Sequence, residues 1–173
     1  MSHINPIPHV PKAVIDTHVL VHRMDPTDPA QQARAQTILD EGLRHQSIVL
    51  AHQTLVEFMA VVQRPRPALE GQGVLPHHVA VQQVEWLMEA FEVIYPDSAV
   101  MKTALRGQAT FGLSWWEAHL WAYAEVGGIA EILSEDFQHG RWYGSVRVVN
   151  PFLSGPDSVH ELPPMYEQPS RSP

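Results

Sequence analysis

Short apolar runs alternate with helix-patterned segments along this chain, and that alternation restricts the fold more than any other feature. The runs are residues 13–20 (AVIDTHVL), 47–51 (SIVLA), 92–96 (EVIYP), 131–137 (EILSEDF) and 145–152 (SVRVVNPF). Between them stand segments with helical punctuation. Residues 28–45 open with Asp28 at the N-cap and Pro29 at the first helical position. Residues 54–64 (TLVEFMAVVQR) are apolar nearly all round, which predicts a buried helix. Residues 76–91 place Val81, Val84, Leu87 and Met88 on one face. Asp97 caps a helix reaching about Gly107, and Ser114 caps another that stops at Gly127 and Gly128. Strands separated by helices require crossover connections, hence a parallel sheet covered on both faces. The expected fold is a three-layer α/β/α sandwich with a parallel sheet of about five strands.

A length of 173 residues suits one domain with a proper core. Residues 1–11 carry Pro6, Pro8 and Pro11, and residues 154–173 carry Pro156, Pro163, Pro164, Pro169 and Pro173, so both read as extended tails around a domain over 12–153. No run of 18 apolar residues is present, which argues against a membrane span. The first residues lack an apolar signal core, and cysteine is absent, so a cytoplasmic location is expected. The absence of cysteine also excludes disulfides and thiolate zinc sites. A net charge of −8 makes the chain a poor general binder of nucleic acid, unless the acids cluster where a divalent cation neutralises them.

In open parallel sheets, ligands bind beyond the carboxyl ends of the strands. Asp16 interrupts the first apolar run, where an unpaired carboxylate costs on the order of several kcal/mol. Ser134, Glu135 and Asp136 directly follow another run. Glu117 heads a stripe with Leu120, Trp121 and Ala124 at helical spacing, and Glu57 is placed in the first turn of its helix, in line with Ala60 and Val61. Four carboxylates from four elements, Asp16, Glu57, Glu117 and Asp136, are thereby expected on one rim. Such a set repels itself unless a cation compensates it, and oxygen ligands suit Mg²⁺ or Mn²⁺. Each acid also has a plainer reading. Asp16 can be a turn residue and Glu57 a charge on the helix dipole. Glu117 completes a capping box with Ser114, and Glu135 is solvent-facing or a turn residue.

These residues, taken in order, resemble the PIN domain family and, within it, the VapC-like ribonuclease toxins. The resemblance spans roughly residues 13–153. It rests on VIDTHVL, on TLVEFMAVV with Glu57, on SWWEAHLWAYA with Glu117, on ILSEDFQHG with Asp136, and on VRVVNPF. It implies a metal-dependent endoribonuclease acting on single-stranded or structured RNA. Asp16, Glu57, Glu117 and Asp136 would be the catalytic, metal-binding acids, with Mg²⁺ or Mn²⁺ as cofactor and the Thr17 and Ser134 hydroxyls beside them. It further implies an antitoxin protein as partner and a homodimer. His18 stands where the family usually has Asn, and can keep a hydrogen bond or approach the metal. Glu117 stands where Asp is common and is longer by one C–C bond, about 1.5 Å.

Arg141 and Trp142, in the segment HGRWYGS that reads as a loop, are the expected RNA contacts. Trp86 and Trp121 read as core, while Trp115 and Trp116 flank Glu117. Arg64 and Arg66 are candidate phosphate contacts, and His77–His78 a surface pair. Two other functions compete. One is a PIN-fold module that binds RNA or a protein without cleaving. The other is a phosphohydrolase of the haloacid dehalogenase type, which requires a second Asp where this chain has His18.

Overall fold

The computed structural model describes residues 11–153; the remainder of the two expected tails, residues 1–10 and 154–173, lies outside the described residues. Six strands form one sheet: β1 (Ala13–Ile15), β2 (Ile48–Ala51), β3 (Glu92–Ile94), β4 (Glu131–Leu133), β5 (Trp142–Tyr143) and β6 (Val146–Val149). Their order is β3-β2-β1-β4-β6-β5. Every neighbouring pair is parallel except β5 with β6. The helices are α1 (Thr17–Met24), α2 (Pro29–His45), α3 (His52–Val62), α4 (His77–Ala90), α5 (Ser98–Phe111) and α6 (Trp115–Gly127).

The strands bury alternate residues in two opposite cores, as the pleat requires. Val14, Val49, Ile132 and Val148 pack with Ala104, Leu120 and Trp121 of α5 and α6. Ala13, Ile15, Ile48, Leu50 and Leu133 pack with residues of α1 to α4, including Leu20, Leu39, Phe58 and Leu87. The molecule is thus the expected three-layer sandwich. The Leu120, Trp121 and Ala124 stripe is fully within the core.

Several local expectations need correction. The run 13–20 is not one strand. β1 ends at Ile15, Asp16 takes the extended N-cap conformation, and Val19 and Leu20 are buried on helix α1. A short apolar run buried on every side carries no period by which helix and strand can be told apart. Helix α3 follows β2 with no intervening loop, so Glu57 lies in its second turn, beyond the reach of the helix N-terminus. That helix is not buried all round, since Val56 is 55% exposed. Met88 points outward, and Ala80, Val84 and Leu87 form the inner face of α4. Helix α5 runs on to Phe111, ending at the left-handed Gly112. Residues 142–143 form a strand: β5 and β6 make a hairpin turning at Gly144, φ 60°.

Candidate metal centre and cleft

The chain steps from β1 to β2 to β3 in one direction, then returns to lay β4 and β6 on the other side of β1. The carboxyl ends of β1 and β4 therefore flank the point where the connections diverge, the usual ligand crevice of such sheets. Asp16 follows β1, and Ser134 and Asp136 follow β4. The Ser134 hydroxyl, fully buried, donates to Asp16 Oδ2 at 2.5 Å, and its oxygen accepts the Asp136 amide at 3.1 Å. Burial pushes the Asp16 carboxyl up; Ser134 pulls it back, Asp136 raises it again, and His18 offsets part of that.

Asp16, His18 and Asp136 offer ligand atoms that all lie within 4.8 Å of one another. His18 Nδ1 lies 2.8 Å from Asp136 Oδ2, an ion-pair contact when the imidazole is protonated. Two carboxylate oxygens and an imidazole nitrogen within 4.8 Å of one another fit a divalent cation. That donor set is compatible with Mn²⁺ as well as Mg²⁺. The local chain explains the placement: Asp16 is the cap of α1, and His18 is in its first turn.

Glu57 and Glu117 do not join this group, although both line the same cleft, of about 740 Å³, with His18 and Asp136. Glu57 Oε2 accepts from the Thr17 hydroxyl at 3.2 Å, and Glu57 Oε1 from Gln53 Nε2 at 2.7 Å. Glu117 is held in the capping box, its Oε2 accepting the Ser114 amide at 2.8 Å. Glu135 pairs with His22 at 2.5 Å, half-buried rather than free in solvent.

The cleft runs between α3 and α6, helices from opposite layers that are tied together where Gln53 Nε2 donates to the Trp116 carbonyl at 3.1 Å. Its walls include Val56, Trp116, His119, Tyr123 and Arg64. Trp116 is 60% exposed there, whereas Trp115 is tucked against the core and stacks on His119. Burial pulls the His119 imidazole down, partly offset by the Glu57 charge, and pushes the Tyr123 phenol up. Arg64 has no ion-pair partner among the described residues. Arg66 is engaged elsewhere, on Asp25 at 2.5 Å.

Arg141 and Trp142 are not brought to the cleft. Trp142 pairs with Arg147, which is itself in register with Glu131 at the start of β4. It therefore sits toward the amino end of the sheet, away from Asp16. Arg141 lies over the Tyr143 ring, 4.7 Å from its centroid. Gln53, His119 and Tyr123 were not expected in the site. A signal for them existed: Gln53 precedes Glu57, and His119 precedes Tyr123, by four residues on otherwise apolar helices.

The geometry can be set beside solved structures. A toxin–antitoxin complex from Klebsiella pneumoniae superposes with a TM-score of 0.56 at 14% identity, covering 82% of this chain and 98% of that one. DNA-bound VapBC from Salmonella typhimurium gives a TM-score of 0.57 at 12% identity, over 79% of this chain and 96% of that one. The fold is VapC-like. VapC20 of Mycobacterium tuberculosis, a toxin described as cleaving the sarcin–ricin loop, gives 0.55 at 13% identity, over 70% and 87%. No family model and no curated protein sequence matches the chain. In this VapC-like PIN fold, no helix among the described residues is long and apolar enough to cross a membrane.

Proposed function

We propose that this protein is a metal-dependent endoribonuclease, the toxin of a toxin–antitoxin pair. The observation that carries the reading is the convergence of Asp16, His18 and Asp136 at the crevice between β1 and β4, opening on a cleft that Glu57 and Glu117 also line. Asp16, His18 and Asp136 would hold Mg²⁺ or Mn²⁺. Such an ion, when bound, lowers the pKa of a coordinated water and relieves charge on a phosphodiester. Ser134 orients Asp16 and the Asp136 backbone, so the acids keep their places against mutual repulsion. Thr17 and Gln53 orient Glu57, leaving it to accept a proton or to complete the cation shell through water. Arg64, just past the end of helix α3, lines the same cleft as Glu57 and can meet a neighbouring phosphate as a point of charge. The fold neighbours support an antitoxin partner, since one is a toxin–antitoxin complex and another is VapBC.

The test is cleavage of a mixed single-stranded RNA by the purified protein with Mn²⁺, Mg²⁺ or EDTA, with Asp16→Asn and Asp136→Asn alongside. Metal-dependent cleavage lost in both variants supports the nuclease. Folded protein, freed of any partner, that cleaves nothing in any metal counts against it. One observation favours a second reading, a binding module with weakened chemistry: both Glu117 and its cap partner are committed to the helix start. Mn²⁺ affinity separates the two readings, because a degenerate site binds the ion poorly.

A further inference from the structure

Two polar side-chain atoms in the cleft, Gln53 Oε1 and His119 Nε2, are buried and make no hydrogen bond, and the buried Tyr123 hydroxyl beside them meets only the Gln53 backbone amide. Gln53 is 7% exposed and Tyr123 1%. The Gln53 amide cannot turn to relieve its oxygen. Its Nε2 is fixed by two acceptors, Glu57 Oε1 at 2.7 Å and the Trp116 carbonyl at 3.1 Å. His119 is held by its stack on Trp115, centroids 5.5 Å apart and rings 12° from parallel, and edge-on against Tyr123 at 5.2 Å. Native proteins rarely leave groups such as Gln53 Oε1 and His119 Nε2 unpaired, and these side chains, with Tyr123, come from two helices of opposite layers into one cavity. They are distinct from the Asp16, His18 and Asp136 group.

The geometry points to a nucleobase-recognition subsite, in which Gln53, His119 and Tyr123 hydrogen-bond the edge of a base beside the carboxylate centre. This rests on the ribonuclease reading and adds its specificity. Gln53 Oε1 demands a donor, while the imidazole nitrogen and phenol can each donate or accept. A planar edge with adjacent donor and acceptor meets that pattern. The exposed Trp116 ring on the wall supplies a stacking face. The Glu57 carboxylate adjoins Gln53, so this edge of the subsite is rich in acceptors. It suits an exocyclic amino group, as on adenine, cytosine or guanine. Uracil offers only an N–H flanked by two carbonyls, one of which would face the acceptors.

The experiment records side-chain ¹H–¹⁵N spectra of Gln53 and His119 during titration with the four ribonucleoside 5′-monophosphates, in EDTA so that nothing is turned over. Shifts of both side chains with an amino-bearing nucleotide, at tenfold or better preference over uridine monophosphate, are expected. Tyr123→Phe keeps the ring and removes one hydroxyl, and should weaken that nucleotide about three- to tenfold, the worth of one hydrogen bond. His119→Gln serves as the second variant and should also narrow the preference over uridine. Unshifted side chains with all four nucleotides, equal affinity for uridine monophosphate, or unchanged preference in both variants would overturn the subsite, the cavity then holding water only. The nuclease reading fails separately: nucleotide binding with no RNA cleavage in Mn²⁺ sinks the enzyme alone, and cleavage indifferent to base identity sinks the subsite alone.

Discussion

Ser134 and Asp16 are 118 residues apart in the chain and joined by a 2.5 Å hydrogen bond between the ends of adjacent strands. The bond holds a buried carboxylate in place, and it does not remove that carboxylate's cost. Asp136, positioned by the same hydroxyl, adds like charge nearby.

Asp16→Asn should therefore raise the melting temperature in metal-free buffer. An amide oxygen still accepts from Ser134, while the buried charge and its repulsion are gone. A gain of about 1 kcal/mol corresponds to roughly 2–4 °C for a chain of this size. Asp136→Asn should move the same way by less, being more exposed. A fall in both variants, by calorimetry in EDTA, would contradict the crowding of charge at this point.

Manganese should stabilise the wild type by mass action, about 2.7 kcal/mol when the ion is at a hundred times its dissociation constant. His18→Ala should reduce that thermal shift, and Asp16→Asn should abolish it. Differential scanning fluorimetry against a Mn²⁺ series reads both. An undiminished shift in His18→Ala would show that the imidazole does not ligate.

Asp25 gives a pH dependence. Burial alone would raise its pKa, but the Thr27 hydroxyl and amide and the Arg66 guanidinium outweigh burial and hold it below the usual carboxylate value. A depressed folded-state pKa means that the stabilisation is present above the unfolded pKa of about 3.9 and is lost as pH falls through the folded value. Asp25→Ala should cost about 2 kcal/mol near neutral pH. The gap from wild type should shrink in acid, as followed by urea melts at neutral pH and near pH 3. A gap that stays constant across that range would remove the ionic component.

Gly107 is where α5 approaches α6. A Cβ built there would meet Trp121 Cε3 and Cζ3 at 2.6 Å. Trp121 cannot retreat freely, because its indole nitrogen donates to the Tyr143 carbonyl at 2.8 Å and Phe111 packs edge-on against it. Gly107→Ala should gain helix propensity and still lose net stability, by about 1–2 kcal/mol through overpacking. Chemical denaturation decides the sign.

The alternation of apolar runs and helical segments was enough to specify the layered parallel sheet, because burial on both faces forces continuous apolar strands. The same runs located Asp16, Ser134 and Asp136, since polar residues directly after such runs fall at strand ends. Boundaries inside them were not legible. Residues 13–20 are apolar for two reasons at once, as strand up to Ile15 and as helix from Thr17. Only the tertiary structure decided which acids share a point. That depends on β4 lying beside β1, a strand order that no periodicity encodes. It put His18 with Asp16 and Asp136 and left Glu57 and Glu117 on the cleft walls. It also turned Arg141 and Trp142 away, because the hairpin pairing of β5 with β6 carries them back toward the amino end of the sheet. Gln53, His119 and Tyr123 meet only because helices from opposite layers are drawn together at the rim. Sequence spacing fixes which residues share the face of one helix, whereas contact between two helices is set by how each packs on the sheet.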